Sequence, residues 1–187
     1  MTTRDAETAD GWNRPLETPR LLLAPLDHHD ADELVHVLAD GELYRFTGGS
    51  PPAVAELRRR FGRWATRLAP DGRQLWLNWV IRIDGRALGT LHATVSEEKG
   101  RPTAEVAWII GVRDQGQGYA SEAGRALLAH LLGAGVEVVR AHIHPDHLAS
   151  ARVASATGLR PTDEWIGGER RWEIRREAPP GPGDGAR

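Results

Sequence analysis

A glycine-rich turn between an apolar strand and an amphipathic helix is the feature that most constrains how this chain folds. Residues 104–112 are rich in β-branched and aromatic side chains, which predicts a strand. Residues 119–132 place alanine and leucine on one face, which predicts a helix. Glycines between them permit a sharp bend. Because the first amides of a helix have no partner within it, this arrangement predicts an anion site that holds a phosphorylated ligand.

Residue types exclude two other kinds of phosphate-binding loop. A nucleoside-triphosphate loop requires lysine and then serine or threonine after its last glycine. Here Gly118 precedes Tyr119, and Lys99 is the only lysine in the chain. A dinucleotide-binding turn requires three regularly spaced glycines and an acidic residue about 20 positions later. The spacing of Gly111, Gly116 and Gly118 differs from that pattern.

The remaining pattern, Gln115-x-x-Gly118-x-Ala120, resembles the pyrophosphate loop of the GNAT superfamily of N-acetyltransferases, which reads Gln/Arg-x-x-Gly-x-Gly/Ala. A second register that starts at Arg113 also fits these letters. We prefer the first register because it ends where the predicted helix begins, at Ser121.

A second stretch, residues 138–161, resembles the later strand and helix of the RimJ/RimL-like branch of that superfamily. In that branch an Asn-x-x-Ser segment opens the helix and a Gly-Phe pair closes it. Ser150 matches the serine, and Gly158 followed by Leu159 stands in for Gly-Phe. The sequence TPRL at 18–21 also resembles the start of the branch. The departure is His147, which occupies the place of the usual asparagine.

The resemblance implies an α/β GNAT fold. It implies a mixed central sheet of about six to seven strands with about four helices, and splayed parallel strands at the cofactor site. The predicted organisation is a flexible arm at 1–15, a single acyltransferase domain at 16–176, and a disordered tail rich in proline and glycine at 177–187.

Acetyl-CoA is the cosubstrate that the resemblance implies, with no metal. The amides of Ile110 and Val112 would pair with the pantetheine arm, and Gly111 would permit an irregular backbone there. The residues expected to bind the cofactor are Ile110, Gly111, Val112, Gln115, Gly116, Gln117, Gly118, Tyr119, Ala120, His147 and Ser150.

Three side chains are candidates for catalysis. By the resemblance, Ser150 would protonate the leaving thiolate, although a first-turn serine can instead bond its own backbone. His147 would contact pantetheine or act as an acid, or would simply open the helix. Glu105 would accept the amine proton, often through water in relatives, or would be a structural carboxylate. His92 is a rival base, with a structural histidine as its alternative.

Histidines at 142, 144 and 147 raise a zinc alternative, but the sequence offers no fixed spacing for a third ligand, so we expect no metal. For the acceptor, the loop 44–52 would form one wall. Trp76, Trp79 and Trp108 are candidates to line it, or belong to the core.

Composition excludes several classes of partner and chemistry. The formal net charge of −2 offers no footprint for nucleic acid or for a polybasic membrane contact. No apolar run reaches the roughly 18 residues of a spanning helix. With no cysteine in the chain, thiolate catalysis and disulfides are excluded, and a cytoplasmic location is the default expectation.

The hypothesis from sequence is an N-acyltransferase that moves an acetyl group from acetyl-CoA to a primary amine by direct attack in a ternary complex. The acceptor would be a small-molecule amine or a protein N-terminus, and a homodimer is common in the resembling branch. One alternative uses a carrier-protein or longer acyl-CoA thioester in a biosynthetic pathway. Another is a non-catalytic acyl-CoA-binding module.

Overall fold

The computed structural model describes residues 11–176, which form an eight-stranded sheet in the order β1-β2-β3-β4-β5-β6-β8-β7. The strands are β1 (Leu16–Glu17), β2 (Leu22–Pro25), β3 (Leu75–Ile83), β4 (Arg86–Glu98), β5 (Arg101–Ile110), β6 (Val138–Ile143), β7 (Arg160–Ile166) and β8 (Glu169–Arg175). Four complete α-helices lie in this range: α1 (Ala31–Val37), α2 (Val54–Trp64), α3 (Tyr119–Gly133) and α4 (Leu148–Thr157).

The predicted mixed α/β sheet is confirmed, since β5 and β6 run parallel and every other neighbouring pair is antiparallel. The dipeptide Asp84-Gly85 between two apolar runs predicts a hairpin, and β3 and β4 do turn at these two residues, both of which have positive φ. The sheet has eight strands rather than six to seven. The two residues of β1 are too few to show an alternating pattern in the sequence.

Helices cover both faces of the sheet, but not equally. On one face α3 and α4 pack on the sheet through a core that includes Leu127, Ala154 and Ile110. On the other face α1 and α2 form a separate core with Val80 and Ala87. This second core lies over β3, β4 and the end of β5, so the α1/α2 face of β6 and β8 keeps a polar surface.

The two parallel strands separate along their length. Their pairing runs only from Thr103–Glu105 on β5 to Val138–Arg140 on β6. Beyond it, β5 continues to Ile110 and β6 to Ile143 without pairing to each other. The splayed parallel strands expected from the resemblance are therefore confirmed, and they leave a gap in the sheet with free backbone on both sides.

Several strands and helices begin or end at residues other than those predicted. The strand expected at 104–112 spans Arg101–Ile110, and a short 3₁₀ turn, Val112–Asp114, follows it. The apolar spacing from Leu57 to Leu68 predicts a helix over about 53–68, whereas α2 ends at Trp64. Residues 1–10 of the predicted arm and the predicted tail at 177–187 lie outside the described residues. Within the arm's remainder, Asn13 is buried and the Trp12 carbonyl contacts His130, so these residues pack on the domain.

Among residues 11–176, no helix combines the length and the apolar character that crossing a membrane requires.

Candidate active site

A cleft of about 820 Å³ opens at the gap between β5 and β6. Its walls also include the turn before α3, the first residues of α3 and α4, and residues 42–47. Of the residues predicted from sequence, those that line it are Ile110, Val112, Gln115, Gly116, Gly118, Tyr119, Ala120, His147 and Ser150. Gly111, Gln117 and Glu105 are not in its lining.

The glycine turn presents a row of free amides to this cleft. Gly116 and Gly118 both have positive φ, +77° and +80°, and Gly118 is the N-cap of α3. Within the described residues, no acceptor takes a hydrogen bond from the amides of residues 116–121, whereas the next amide, of Glu122, bonds the Gly118 carbonyl. A run of unpaired donors at a helix N-terminus suits a diphosphate.

The Gln115 side chain is hydrogen-bonded to the end of β5. Its Nε2 donates to the Ile110 carbonyl at 2.9 Å. The Gly111 amide donates to the Leu88 carbonyl of β4 at 2.9 Å. Because backbone groups alternate in direction along a strand, the Ile110 amide must point the opposite way, into the gap. The amide proposed for pantetheine therefore faces the cleft.

The expected role of Gly111 as an irregular backbone position is corrected by its geometry. Its φ of −53° and ψ of 141° are open to other residues, and the pairing of β4 with β5 has no bulge. A Cβ atom there would lie 2.9 Å from Cγ1 of Val37. Position 111 is therefore glycine because α1 packs too close to its backbone for a side chain. A similar constraint applies at Gly89, where a Cβ would lie 1.9 Å from the Ile109 carbonyl oxygen.

The N-terminal TPRL segment holds the first turn of α3. The Thr18 hydroxyl and the Arg20 amide donate to Oε1 of Glu122 at 2.7 and 3.0 Å. The Arg20 guanidinium donates to Oε2 through Nε at 2.7 Å and lies 2.6 Å from it through Nη2. Burial would raise the pKa of Glu122, but these hydrogen bonds outweigh burial and lower it. Thr18 and Glu122 are 104 positions apart, so no local sequence pattern reveals this contact.

Arg20 also reaches the glycine turn itself. Its Nη1 donates to the Gln117 carbonyl at 3.2 Å, and its guanidinium lies 4.7 Å from the centre of the Tyr119 ring. A second ion pair fixes the start of the same turn, where Arg86 bonds both carboxylate oxygens of Asp114 at 2.8 and 2.9 Å. Two arginines therefore hold the loop in place.

Ser150 and His147 line the cleft from the start of α4. Within residues 11–176 the Ser150 hydroxyl has no hydrogen-bond partner, so it does not bond its own helix. His147 is the N-cap residue, but its side chain does not cap. Its ring stacks on Phe46 at 4.5 Å. Burial, together with nearby His144, lowers the pKa of His147. Phe46 was not identified from sequence, because an aromatic in a loop carries no periodic pattern.

Glu105 lies at the last paired position of β5, where the two strands begin to separate. Its Oε2 is 3.2 Å from Nδ1 of His142, which lines the cleft. The ring's other nitrogen, Nε2, is buried without a partner in the described range. Ala141 and Ile143 pack toward α3 and α4, so alternation places His142 and Glu105 on the α1/α2 face.

The rival sequence candidates lie elsewhere or are engaged in structure. His92 bonds Asn78 and Thr90 through its two ring nitrogens at 2.7 and 2.9 Å, and burial lowers its pKa to about 4. It is a structural histidine outside the cleft lining. Trp108 lines the cleft, whereas Trp79 is fully buried and bonds the Arg14 carbonyl.

The zinc alternative finds no support in the positions of the three cleft histidines. Within the described residues, side chains close enough to share a metal occur only at Asp27, His28 and His29, all of them exposed. His142 is instead committed to Glu105.

The fold is thus that of an α/β protein with a mixed sheet, separated parallel strands and a glycine turn beside the gap. The match to a family model agrees: residues 20–160 match the acetyltransferase (GNAT) domain. The chain belongs to this family and is a GNAT acetyltransferase.

Solved structures share the fold at low identity. RimJ of Mycobacterium smegmatis, in complex with a CoA disulfide, is 22% identical with a TM-score of 0.71, covering 88% of each chain. RimL, a ribosomal L7/L12 α-N-protein acetyltransferase in complex with coenzyme A, is 16% identical with a TM-score of 0.70, covering 87% of this chain and 98% of that one. The aminoglycoside acetyltransferase AAC(6')-Ib, in complex with coenzyme A, is 14% identical with a TM-score of 0.69, covering 83% and 95%. No curated protein matches the sequence.

Proposed function

We propose that this protein transfers the acetyl group of acetyl-CoA to a primary amine by direct attack in a ternary complex. The observation that carries the proposal is the row of unpaired amides at residues 116–121, beside a gap in the sheet that exposes the Ile110 amide. The diphosphate would bind the amides at the N-terminus of α3. The pantetheine arm would extend along β5 in the gap.

The two substrates would approach from opposite faces of the sheet. On one face α3 and α4 supply the glycine turn, Ser150 and His147, which suits the coenzyme. The α1/α2 face carries Glu105 and His142 at the point where the strands separate. An amine that arrives from this face would meet the thioester in the gap with a carboxylate beside it.

The chemistry divides among these groups. The amine nitrogen attacks the thioester carbonyl carbon, and the C–S bond breaks as the amide forms. Glu105, with His142 beside it, would take through water the proton that the amine loses, because it lies five residues, roughly 16 Å of extended strand, before Ile110. The Ile110 amide would donate to the developing oxyanion. Ser150, whose hydroxyl has no partner in the described residues, would protonate the departing thiolate. A covalent intermediate is not needed.

We further propose that the chain lies in the RimJ/RimL-like branch. Support comes from the TPRL segment, whose threonine and arginine hold the first turn of α3. It also comes from the shared fold of RimJ and RimL. The acceptor in that case would be a primary amine of a protein N-terminus or of a small molecule.

The decisive experiment measures thiol release from acetyl-CoA over a library of amines and peptides. We expect turnover with a subset of amines and a ternary complex in the initial-rate kinetics. Binding of acetyl-CoA without release of thiol across the library would instead favour a non-catalytic module. Turnover only with a carrier-protein or longer acyl thioester would show that this thioester, and not acetyl-CoA, is the acyl donor.

The proposed base is tested by Glu105→Gln, with the exposed Glu137→Gln as control. Loss of a general base should lower kcat by about 10²–10⁴-fold. The affinity for coenzyme A should stay unchanged, because Glu105 is not in the lining of the cleft. Full activity of Glu105→Gln would remove Glu105 from the mechanism.

A further inference from the structure

Among residues 11–176, one carboxylate of the cleft takes part in no hydrogen bond or ion pair. Four acidic side chains line the cleft. Asp114 is held by Arg86, Glu42 lies 3.9 Å from Arg45, and Asp146 lies 4.0 Å from His144. The fourth, Glu169, makes no hydrogen bond or ion pair with any part of the chain that the structure describes.

The sheet register places Glu169 on the acceptor side. Arg170 pairs with Ile143, whose side chain points toward α3 and α4, so the adjacent Glu169 points to the opposite face. That is the face of Glu105 and His142. Glu169 is half-buried. A carboxylate that lines the cleft without a protein partner is free to accept a charge-assisted hydrogen bond from a cationic ligand.

Within the described residues, the neighbouring cationic side chains form no ion pair with Glu169, and Arg171 on the same strand pairs with Glu164 instead. His147 is the nearby histidine that feels its field, and burial keeps the pKa of that ring low. Arg45 lies over the Phe46 ring, 5.4 Å from its centre. Across the hairpin, Ile166 pairs with Glu169 and presents an exposed apolar side chain on the same face.

We propose that the acceptor is a primary amine that carries a second cationic group, and that Glu169 binds this second group. The inference rests on the proposed function and names the substrate class of the same site. The reaction centre lies between β5 and β6, and Glu169 lies on β8, the next strand beyond β6. The sheet register puts Glu169 at about the same level as Ile110, so from the Ile110 amide two strand spacings put the two nitrogens on the order of 10 Å apart.

The probes are α,ω-diaminoalkanes of increasing length, each compared with the monoamine of the same carbon number. Both amines of a diamine are protonated near neutral pH. In the wild type kcat/KM should favour the diamine, with a maximum when its nitrogens are about 10 Å apart. A parallel set of short peptides carries arginine or norleucine at the second position. A higher kcat/KM for the arginine peptides than for the norleucine peptides and the diamines would indicate a peptide acceptor, and the reverse would indicate a small molecule.

Glu169→Gln should reduce the diamine-to-monoamine ratio of kcat/KM by about 10- to 100-fold, the range for loss of one charged hydrogen-bond partner. Glu169→Lys should make the enzyme prefer the monoamine. The control is Glu164→Gln on the same hairpin, where the carboxylate pairs with Arg171 outside the cleft lining, and it should keep the wild-type ratio. A ratio near one in the wild type, or an unchanged ratio in Glu169→Gln, would overturn the inference.

Calorimetry separates this inference from the proposed function. Diamine is titrated into the complex with coenzyme A, which needs no turnover. If no amine releases thiol, the proposed function fails, and the inference then depends on whether Glu169→Gln weakens diamine binding. Equal binding of diamine and monoamine in this titration would refute it.

Discussion

The contact between Glu122 and the TPRL segment allows a stability and binding prediction with a worked magnitude. In Glu122→Gln one oxygen remains to accept from Thr18 and from the Arg20 amide, while the other is replaced by an NH₂ group facing the guanidinium. The two guanidinium contacts at 2.6 and 2.7 Å are then lost. Hydrogen bonds to charged groups contribute about 1.5–3 kcal/mol.

Solvent exposure of the Arg20–Glu122 ion pair reduces this free energy. The Arg20 side chain is 46% exposed and Glu122 is 11% exposed, so we expect a loss of about 1–2 kcal/mol of unfolding free energy. For a chain of this length that lowers Tm by about 2–8 °C. Since Arg20 also holds the Gln117 carbonyl, the glycine turn should loosen and coenzyme A should bind more weakly.

Urea unfolding of wild type, Glu122→Gln, Arg20→Ala and the double variant measures the coupling directly. The pKa of Glu122 is below its usual 4.5, so its contribution is present above that pH and disappears as pH falls through the lowered value. The difference between wild type and Glu122→Gln should therefore shrink in acid. As control, Glu137→Gln removes an exposed ion pair with Arg101 at 3.8 Å and should cost under about 0.5 kcal/mol. A coupling energy near zero at neutral pH would refute the reasoning.

Three further predictions follow from the site and the core. Gly118→Glu should abolish coenzyme A binding by filling the anion site. Gly135→Glu, which also replaces a positive-φ glycine but lies beyond the far end of α3, should retain coenzyme A binding in the same titration. Ser150→Ala should lower kcat by about 10²-fold with little change in coenzyme affinity, whereas Ser155→Ala, exposed on the same helix, should match wild type in both measurements. His92 has a pKa lowered from 6.5 to about 4, so the unfolded chain binds more protons between these values. Stability should fall as pH drops through that window, by up to about 3 kcal/mol, and pH-dependent urea unfolding of His92→Gln should lack this slope.

Local sequence patterns predicted those elements of the fold whose structure depends on a single short segment. The glycine turn at 115–120, the Asp84–Gly85 hairpin and the helix over 119–132 all follow from short-range chemistry, and the structure has them. The splayed strands came from the family resemblance rather than from periodicity. Strand β1 was missed because two residues show no alternation.

The site was less predictable because its contacts connect distant segments. Glu122 meets Thr18, His142 meets Glu105, and Phe46 stacks on His147, and none of these pairs is close in sequence. Gly111 is glycine because α1 passes near it, which no local pattern reveals. The unpaired state of Glu169 depends on every neighbour in the fold.

The hydrogen bond from Thr18 to Glu122 spans 104 positions of the chain. During synthesis the segment that steadies the glycine turn emerges early, but its carboxylate partner arrives only after more than half of the protein has been made. Closing this loop costs conformational entropy, and the contact can form only once both segments are in place. Coenzyme A should accordingly bind native molecules in preference to partly folded ones, which makes it a reporter of completed folding and a ligand that protects the finished protein.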